Sequence, residues 1–398
     1  MQLQGLRVVD LSSIVLGPLA SQILGDYGAE VIKVEPPEGD STRGTGPSTE
    51  PGMAALFLGV NRNKKSVMLD LKSAEGRAGL EALLATADVL MHNIRPQKLV
   101  ALGLEPERVL ERHPRIVCAS LNGFGSAGPY AGKPAYDDII QGLSGSASLM
   151  QRMTGSPGYF PTIAADKTCA HVAVHAILAA LIGRGLTGRG SHVEVPMFEA
   201  MVAFNLVEHH YGRHFRPAQS SAGYPRVLAA WRRPYRTSDG HVCLMPYTTA
   251  QWARFFTRTG ASALASDARF SDMASRTKNI DALYEEAGKL IAQRPTGEWL
   301  AICLELEIPA APVNQLDDLP DDPHLAAIKF FREIDDAGTG PVNFPGVPVS
   351  FDGKRPSIRM PPRLGEHTRE VLEGLGLGAA LLEALLHRSP RAPAPPLP

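Results

Sequence analysis

The sequence predicts an α/β chain: a large domain built on a mostly parallel sheet with helices on both faces, followed by a smaller α+β domain. Three observations carry this reading. Short apolar runs alternate with helical segments through the first third of the chain. The 398 residues exceed what one hydrophobic core usually holds. Near Gln219 the alternation gives way to a stretch rich in glycine, proline and arginine.

Leu6 to Leu11 is an apolar run ending in Ser12-Ser13, which reads as a buried strand. Gly17-Pro18 opens a helix through Leu19 to Tyr27, where Leu19, Ile23 and Leu24 share a face and Gly28 stops it. Ala29 to Val34 is a second strand and closes a βαβ unit. Strand Ser66 to Leu71, helix Glu75 to Thr86, strand Val89 to His92, helix Glu105 to Glu111 and strand Ile116 to Ser120 repeat the alternation of a parallel sheet. From Ser220 to Pro234 the chain is irregular, and Asp239-Gly240 marks a tight turn before Val242 to Met245. Helices follow at Gln251 to Thr257, Ile280 to Gln293 and Thr296 to Leu306, then strand-like residues Val347 to Phe351 and a helix Ala379 to His387. The expected organisation is a first part of the large domain at 1–205, a small domain at 225–320, a return at 330–388, and a disordered tail at 389–398 that holds five prolines.

With 44% hydrophobic residues, 20% charged residues and a net charge of −1, nothing points to a nucleic-acid or membrane surface, so an anionic ligand needs a local basic cluster. Met1 to Gly5 lacks a leader pattern and no run reaches 18 apolar residues, so the expectation is a soluble cytoplasmic protein. Cys118, Cys169, Cys243 and Cys303 are far apart among apolar neighbours and read as reduced, buried thiols. No HExxH, GxSxG or CxxC is present, and no metal site is expected. Glu35 ends the second strand where a ribose-binding acid belongs in a dinucleotide fold, but the first turn lacks GxGxxG, which argues against NAD or FAD.

Two clusters fit phosphate if they share a rim of the sheet. Asn61-Arg62-Asn63-Lys64-Lys65 precedes a strand, and Asn93-Ile94-Arg95-Pro96-Gln97-Lys98 follows one. Otherwise both are solvated turns. Asp166, in Thr162-Ile163-Ala164-Ala165-Asp166-Lys167-Thr168 at the head of a long apolar helix, is either an N-cap or a nucleophile.

Taken together these segments resemble the class III CoA transferases, the family of formyl-CoA and carnitine CoA transferases that also contains the α-methylacyl-CoA racemases. The likeness rests on Gly17-Pro18 through Asp40, Asn63 to Lys72, Asn93 to Pro96, Gly123-Phe124-Gly125 with Gly128-Pro129-Tyr130, Tyr136-Asp137 with Gln141, Asp166, Gly190 to Ala200, and Pro361 to Thr368. It implies a Rossmann-like large domain, an interlocked homodimer in which two ring-shaped chains pass through each other, and Asp166 as the nucleophile. That aspartate forms an anhydride and then an aspartyl-CoA thioester, kept ionised by the helix start. The resemblance places CoA phosphates and adenine on Lys64, Lys65, Asn93, Ile94, Arg95 and Lys98, and the pantetheine path along Val15, Leu16, Tyr136 and Asp137. It implies no cofactor besides the CoA thioester, and acyl-CoA and a carboxylic acid as partners.

Two departures bear on substrate. Pro36 stands where formyl-CoA transferases carry a cation, and Ser220 to Arg226 replaces their glycine-rich lid, which weakens formyl-CoA or oxalate as substrates. A racemase is the first alternative, but Tyr136 occupies its histidine position, and a phenol is a poor acid–base group at neutral pH. A non-catalytic CoA-binding paralogue is the second, and it should have lost Asp166 or the basic cluster. Arg226, Arg232, Arg233 and Arg236 are either a site for a dicarboxylate or a solvated face.

Overall fold

A computed structural model describes residues 1–386; the expected tail at 389–398 and His387 lie outside the described residues. By contact density the chain divides into two units, one formed by Met1–Ser144, Phe160–Ala203 and the residues from His324 on, the other by Gly145–Tyr159 and Phe204–Pro323.

The first unit is organised by six strands, β1 (Arg7–Asp10), β2 (Glu30–Glu35), β3 (Lys64–Met68), β4 (Val89–His92), β5 (Val117–Asn122) and β6 (Ser191–Pro196). They pair in the order β3-β2-β1-β4-β5-β6, and every pairing is parallel. Because side chains alternate along a strand, the apolar runs feed both faces. Val8, Val31, Met91 and Ala119 pack on one side with Leu24 of helix α1 (Leu16–Asp26), whereas Val9, Ile32, Leu90 and Cys118 pack on the other. After α2 (Ala55–Val60), helices α3 (Ala74–Leu84), α4 (Pro96–Leu102) and α5 (Pro106–Arg112) cover that second face through Leu83, Leu99 and Val109. Helix α6 (Asp137–Leu143) is followed by α7 (Ser146–Thr154), which belongs to the second unit; α8 (Ala164–Thr187) then lays Cys169, Ala173 and Ile177 on the first face. Helix α9 (Met197–His209) follows β6.

The second unit holds a three-stranded antiparallel sheet of β7 (Tyr235–Arg236), β8 (His241–Leu244) and β9 (Ala310–Pro312). Helices Thr249–Arg258, Ile280–Ile291 and Thr296–Glu305 pack on it through Phe255, Leu283 and Trp299, whose indole donates to Ile291 O at 2.7 Å.

Two expectations need correction. The strand-like stretch at Val347 to Phe351 forms only an isolated bridge, Phe351 with Lys354. The hairpin near it is β10 (Phe331–Asp336) with β11 (Gly340–Pro345), tied to the rest of the first unit by Arg363 bonding both Asp336 and Glu50. Cys243 is exposed on β8, unlike the other three thiols.

Candidate active site

The chain runs outward from β1 to β3 on one side and from β4 to β6 on the other, so β1 and β4 are the point where strand order reverses. In open parallel sheets the crevice beyond the carboxyl ends of such strands is where ligands bind. A cleft of about 450 Å³ lies there, lined by Ser13, Ile14 and Leu16 after β1, by Asn93 to Pro96 and Lys98 after β4, and by Leu121 to Phe124 at the end of β5. Gly132 to Tyr136, Asp166 and Met197 complete it. The turn after β1 and the one after β4 are tied together: Ser13 N donates to Asn93 Oδ1 at 3.1 Å and Asn93 Nδ2 donates to Ser13 O at 2.8 Å.

Asp166 is the third residue of α8 and caps nothing, which removes the N-cap reading. The cap comes from another helix. Asp137 Oδ1, at the head of α6, accepts from Ala165 N at 2.7 Å and Asp166 N at 3.0 Å, while Gln141 Nε2 donates to Asp137 Oδ2 at 2.6 Å. Asp137 thus supports the site from behind and does not line the cleft. Burial, and then the charge of Asp137, push the Asp166 carboxyl up to about 7. The helix start therefore does not hold it fully ionised at neutral pH, contrary to expectation; burial and a neighbouring carboxylate outweigh the helix dipole. A carboxylate raised in this way is more basic and less solvated, hence a better nucleophile once ionised.

Of the residues expected to hold CoA, the cleft gathers Leu16, Asn93, Ile94, Arg95, Lys98 and Tyr136 around Asp166. Val15, Lys64 and Lys65 are placed elsewhere. Lys64 opens β3 and pairs in register with Val31, which is level with Val8 and so with Val89, the first residue of β4. Asn93 lies past the other end of β4, so in a parallel sheet the two basic clusters occupy opposite rims. Lys64 is fully buried, donating to Pro18 O at 2.8 Å and Asn61 Oδ1 at 2.7 Å, and burial pushes its ammonium down to about 7. Lys65 is engaged by Glu30 and Glu370. Val15 is packed in the core beside the turn.

Sequence reasoning missed Lys133, which joins Arg95 and Lys98 on the cleft wall with its ammonium 4.3 Å from the Tyr130 ring centroid. Its position three residues before Tyr136 was the available signal. The arginine stretch divides. Arg226 Nε donates to the Tyr284 hydroxyl at 2.9 Å and the guanidinium stacks over Tyr247, whereas Arg232 and Arg233 border a separate cavity of about 500 Å³ within the second unit.

Residues 3–368 match CoA-transferase family III. Over 399 residues the chain is 32% identical to a succinate–glutarate CoA-transferase of Agrobacterium fabrum, covering 94% of this chain and 95% of that one. It is 32% identical over 359 residues to an acetyl-CoA:oxalate CoA-transferase of Acetobacter aceti, covering 88% and 89%. A crystal structure of a CAIB/BAIF family protein from Brucella suis superposes with a TM-score of 0.76 at 31% identity, covering 94% of this chain and 99% of that one.

Proposed function

Since the chain belongs to CoA-transferase family III and is an enzyme that transfers CoA, we propose that it moves CoA from an acyl-CoA donor to a free carboxylic acid through covalent intermediates on Asp166. The observation that carries this is a half-buried carboxylate opening on a cleft whose other charged groups are the cations Arg95, Lys98 and Lys133. Asp166 attacks the thioester carbonyl, the C–S bond breaks, and CoA leaves as thiolate from a mixed anhydride. The thiolate attacks the aspartyl carbonyl, releasing the donor acid and leaving an aspartyl-CoA thioester. The acceptor carboxylate then displaces the thiolate to form a second anhydride. Attack of the thiolate on the acceptor's acyl carbon yields the new acyl-CoA and frees Asp166. Binding energy from the nucleotide end, at the three cations, positions the thioester. The first unit is thus the CoA-binding part of the protein, and no cofactor beyond the substrate thioester is invoked.

The raised Asp166 carboxyl also suits proton transfer at Cα, the racemase chemistry, yet the position for its partner holds Tyr136, 69% exposed. The test is to mix the protein with succinyl-CoA and a panel of mono- and dicarboxylic acids and weigh the new thioesters. No new thioester from any pair, together with deuterium entering Cα of a 2-methylacyl-CoA in heavy water, sinks the transferase reading.

Substituting glutamine for Arg95, Lys98 or Lys133 is expected to raise the KM for acyl-CoA by about 5–20-fold with kcat nearly kept, and the gap should narrow as salt rises. Lys64 and Lys65 substitutions should lack that salt signature. Steady-state kinetics at two ionic strengths checks both.

An interlocked homodimer, which the family resemblance implies, belongs to the same proposal. Helix α8, among the described residues, is long and apolar enough to cross a bilayer by length and composition, yet Val172, Ile182 and Leu186 on it are exposed. A second copy covering these side chains accounts for them. Interlocked chains separate only by opening the fold, so Ile182→Asp, at a side chain exposed in the single chain, should lower the melting temperature of the dimer without releasing folded monomer; an unchanged melting temperature excludes Ile182 from the interface. We also place the enzyme in the cytoplasm, a reducing compartment that suits the unpaired buried thiols Cys118, Cys169 and Cys303.

A further inference from the structure

The turn Ser12–Ile14, which forms one wall of the cleft, is held from beneath by four fully or nearly fully buried charges that touch no ligand site. Lys33 Nζ donates to Ser12 O at 2.9 Å and to Asp40 Oδ2 at 2.8 Å. Asp40 Oδ1 accepts from Ile14 N at 3.4 Å and Thr42 N at 2.9 Å. Asp10 accepts from Ser12 N at 2.8 Å and lies 3.5 Å from the Lys64 ammonium. Asn93 takes both backbone polar groups of Ser13. Each backbone group of the turn named here is therefore met by a side chain.

Two features set this apart from an ordinary stabilised turn. Ile14 has φ 73°, a left-handed conformation that a β-branched residue adopts only where its surroundings over-determine it, and Ile14 lines the cleft. Gly17, just beyond, has no room for a Cβ, which would overlap the Ser12 side chain. Burying paired charges gains little stability compared with an apolar replacement of the same shape, so their presence under a strained cleft wall calls for another role.

We propose that Lys33 and Asp40 are positioning residues for CoA transfer: they lock the Ser12–Ile14 turn into the wall against which the acyl-CoA thioester is set relative to Asp166. This rests on the transferase reading above. Neither residue touches substrate, and their effect falls on the placement of the reacting carbonyl, with phosphate binding left to the three cations of the cleft.

The test compares wild type, the double variant Lys33→Met with Asp40→Ala, and its rescue, Lys33→Met with Asp40→Asn. Both remove the two charges together, so no buried ion is left unpaired and no amide is set against the Lys33 ammonium; the rescue keeps the oxygen that accepts from Ile14 N. Amide hydrogen exchange at Ser12–Ile14 should accelerate about tenfold or more in the double variant while the sheet strands stay protected. In the same protein kcat should fall by about 10²-fold, with the Kd for free CoA changed by less than about threefold. The rescue, which regains the acceptor for Ile14 N, should recover kcat by about tenfold or more over the double variant. Unchanged exchange at the turn, or wild-type kcat with the turn loosened, overturns the proposal. If the double variant does not fold, the rescue is compared with wild type by the same measurements: faster exchange at the turn with a lower kcat is expected, because Ser12 O has lost the Lys33 donor, and a lower kcat with the turn still protected, or a loosened turn with wild-type kcat, overturns the proposal. Wild-type protein that transfers no CoA at all refutes the transferase reading separately, and the exchange experiment still reports whether these residues hold the turn.

Discussion

Asp166→Asn is expected to lower CoA transfer by roughly 10⁴-fold or more while leaving CoA affinity within about threefold of wild type. The amide occupies the same volume and cannot form the anhydride, and the cations that meet the phosphates are on other elements, Arg95, Lys98 and Lys133. Near-wild-type turnover in this variant removes Asp166 from the chemistry. The pH dependence follows from the carboxyl being pushed up to about 7. Only the ionised form attacks, so kcat/KM of the wild type should climb tenfold per pH unit below about 7 and level off above it. The stability effect has the opposite sense. The folded carboxyl holds its proton to higher pH than the unfolded one, so stability falls as pH rises from about 4 through about 7. Asp166→Asn should therefore melt higher than wild type at pH 8, by on the order of 1–2 kcal/mol because the group opens onto the cleft and is partly screened, and the difference should vanish near pH 4. A melting difference that does not change with pH contradicts the raised carboxyl.

Much of the first unit was legible because its strands are buried on both faces. Val89 to Met91 is an unbroken apolar run, and the strand read from it, Val89–His92, has those bounds. The edge strand Ser191–Pro196 was not, since most of its side chains are exposed or half-buried and the apolar alternation is weak. The hairpin β10–β11 is polar on much of both strands and carries Pro341 and Pro345, so nothing local distinguished it from loop, while the more apolar Val347 to Phe351 drew the assignment. The site was half legible. Asn93, Arg95 and Lys98 follow a strand and Asp166 opens a helix, and the cleft joins them. Lys64 and Lys65 looked alike to these in composition, but which rim a cation occupies depends on strand direction across the sheet, and that is a long-range property. The cap on α8 was invisible for the same reason: Asp137 stands 29 residues before the amide it accepts from.

That cap gives the second large effect. Asp137→Ala takes the acceptor from Ala165 N and Asp166 N, leaving the start of α8 without its side-chain partner, and it deletes the charge that helps to raise Asp166. Turnover should fall by about 10²-fold, because a displaced helix start moves the nucleophile out of line with the thioester. Stability should drop by about 1–2 kcal/mol, as for a lost cap. Asp137→Asn separates the two roles. Its oxygen still accepts from both amides and only the bond from Gln141 is lost, so the helix start and the rate on the alkaline plateau should be largely kept. With the negative charge gone, the acid limb of the pH–rate profile should move to lower pH, since burial alone then raises Asp166. If Asp137 were a CoA contact, both variants would raise KM and leave the limb in place. An unshifted limb in Asp137→Asn, with kcat lost in Asp137→Ala only in proportion to unfolding, would reduce Asp137 to a structural cap with no hold on the reactivity of Asp166.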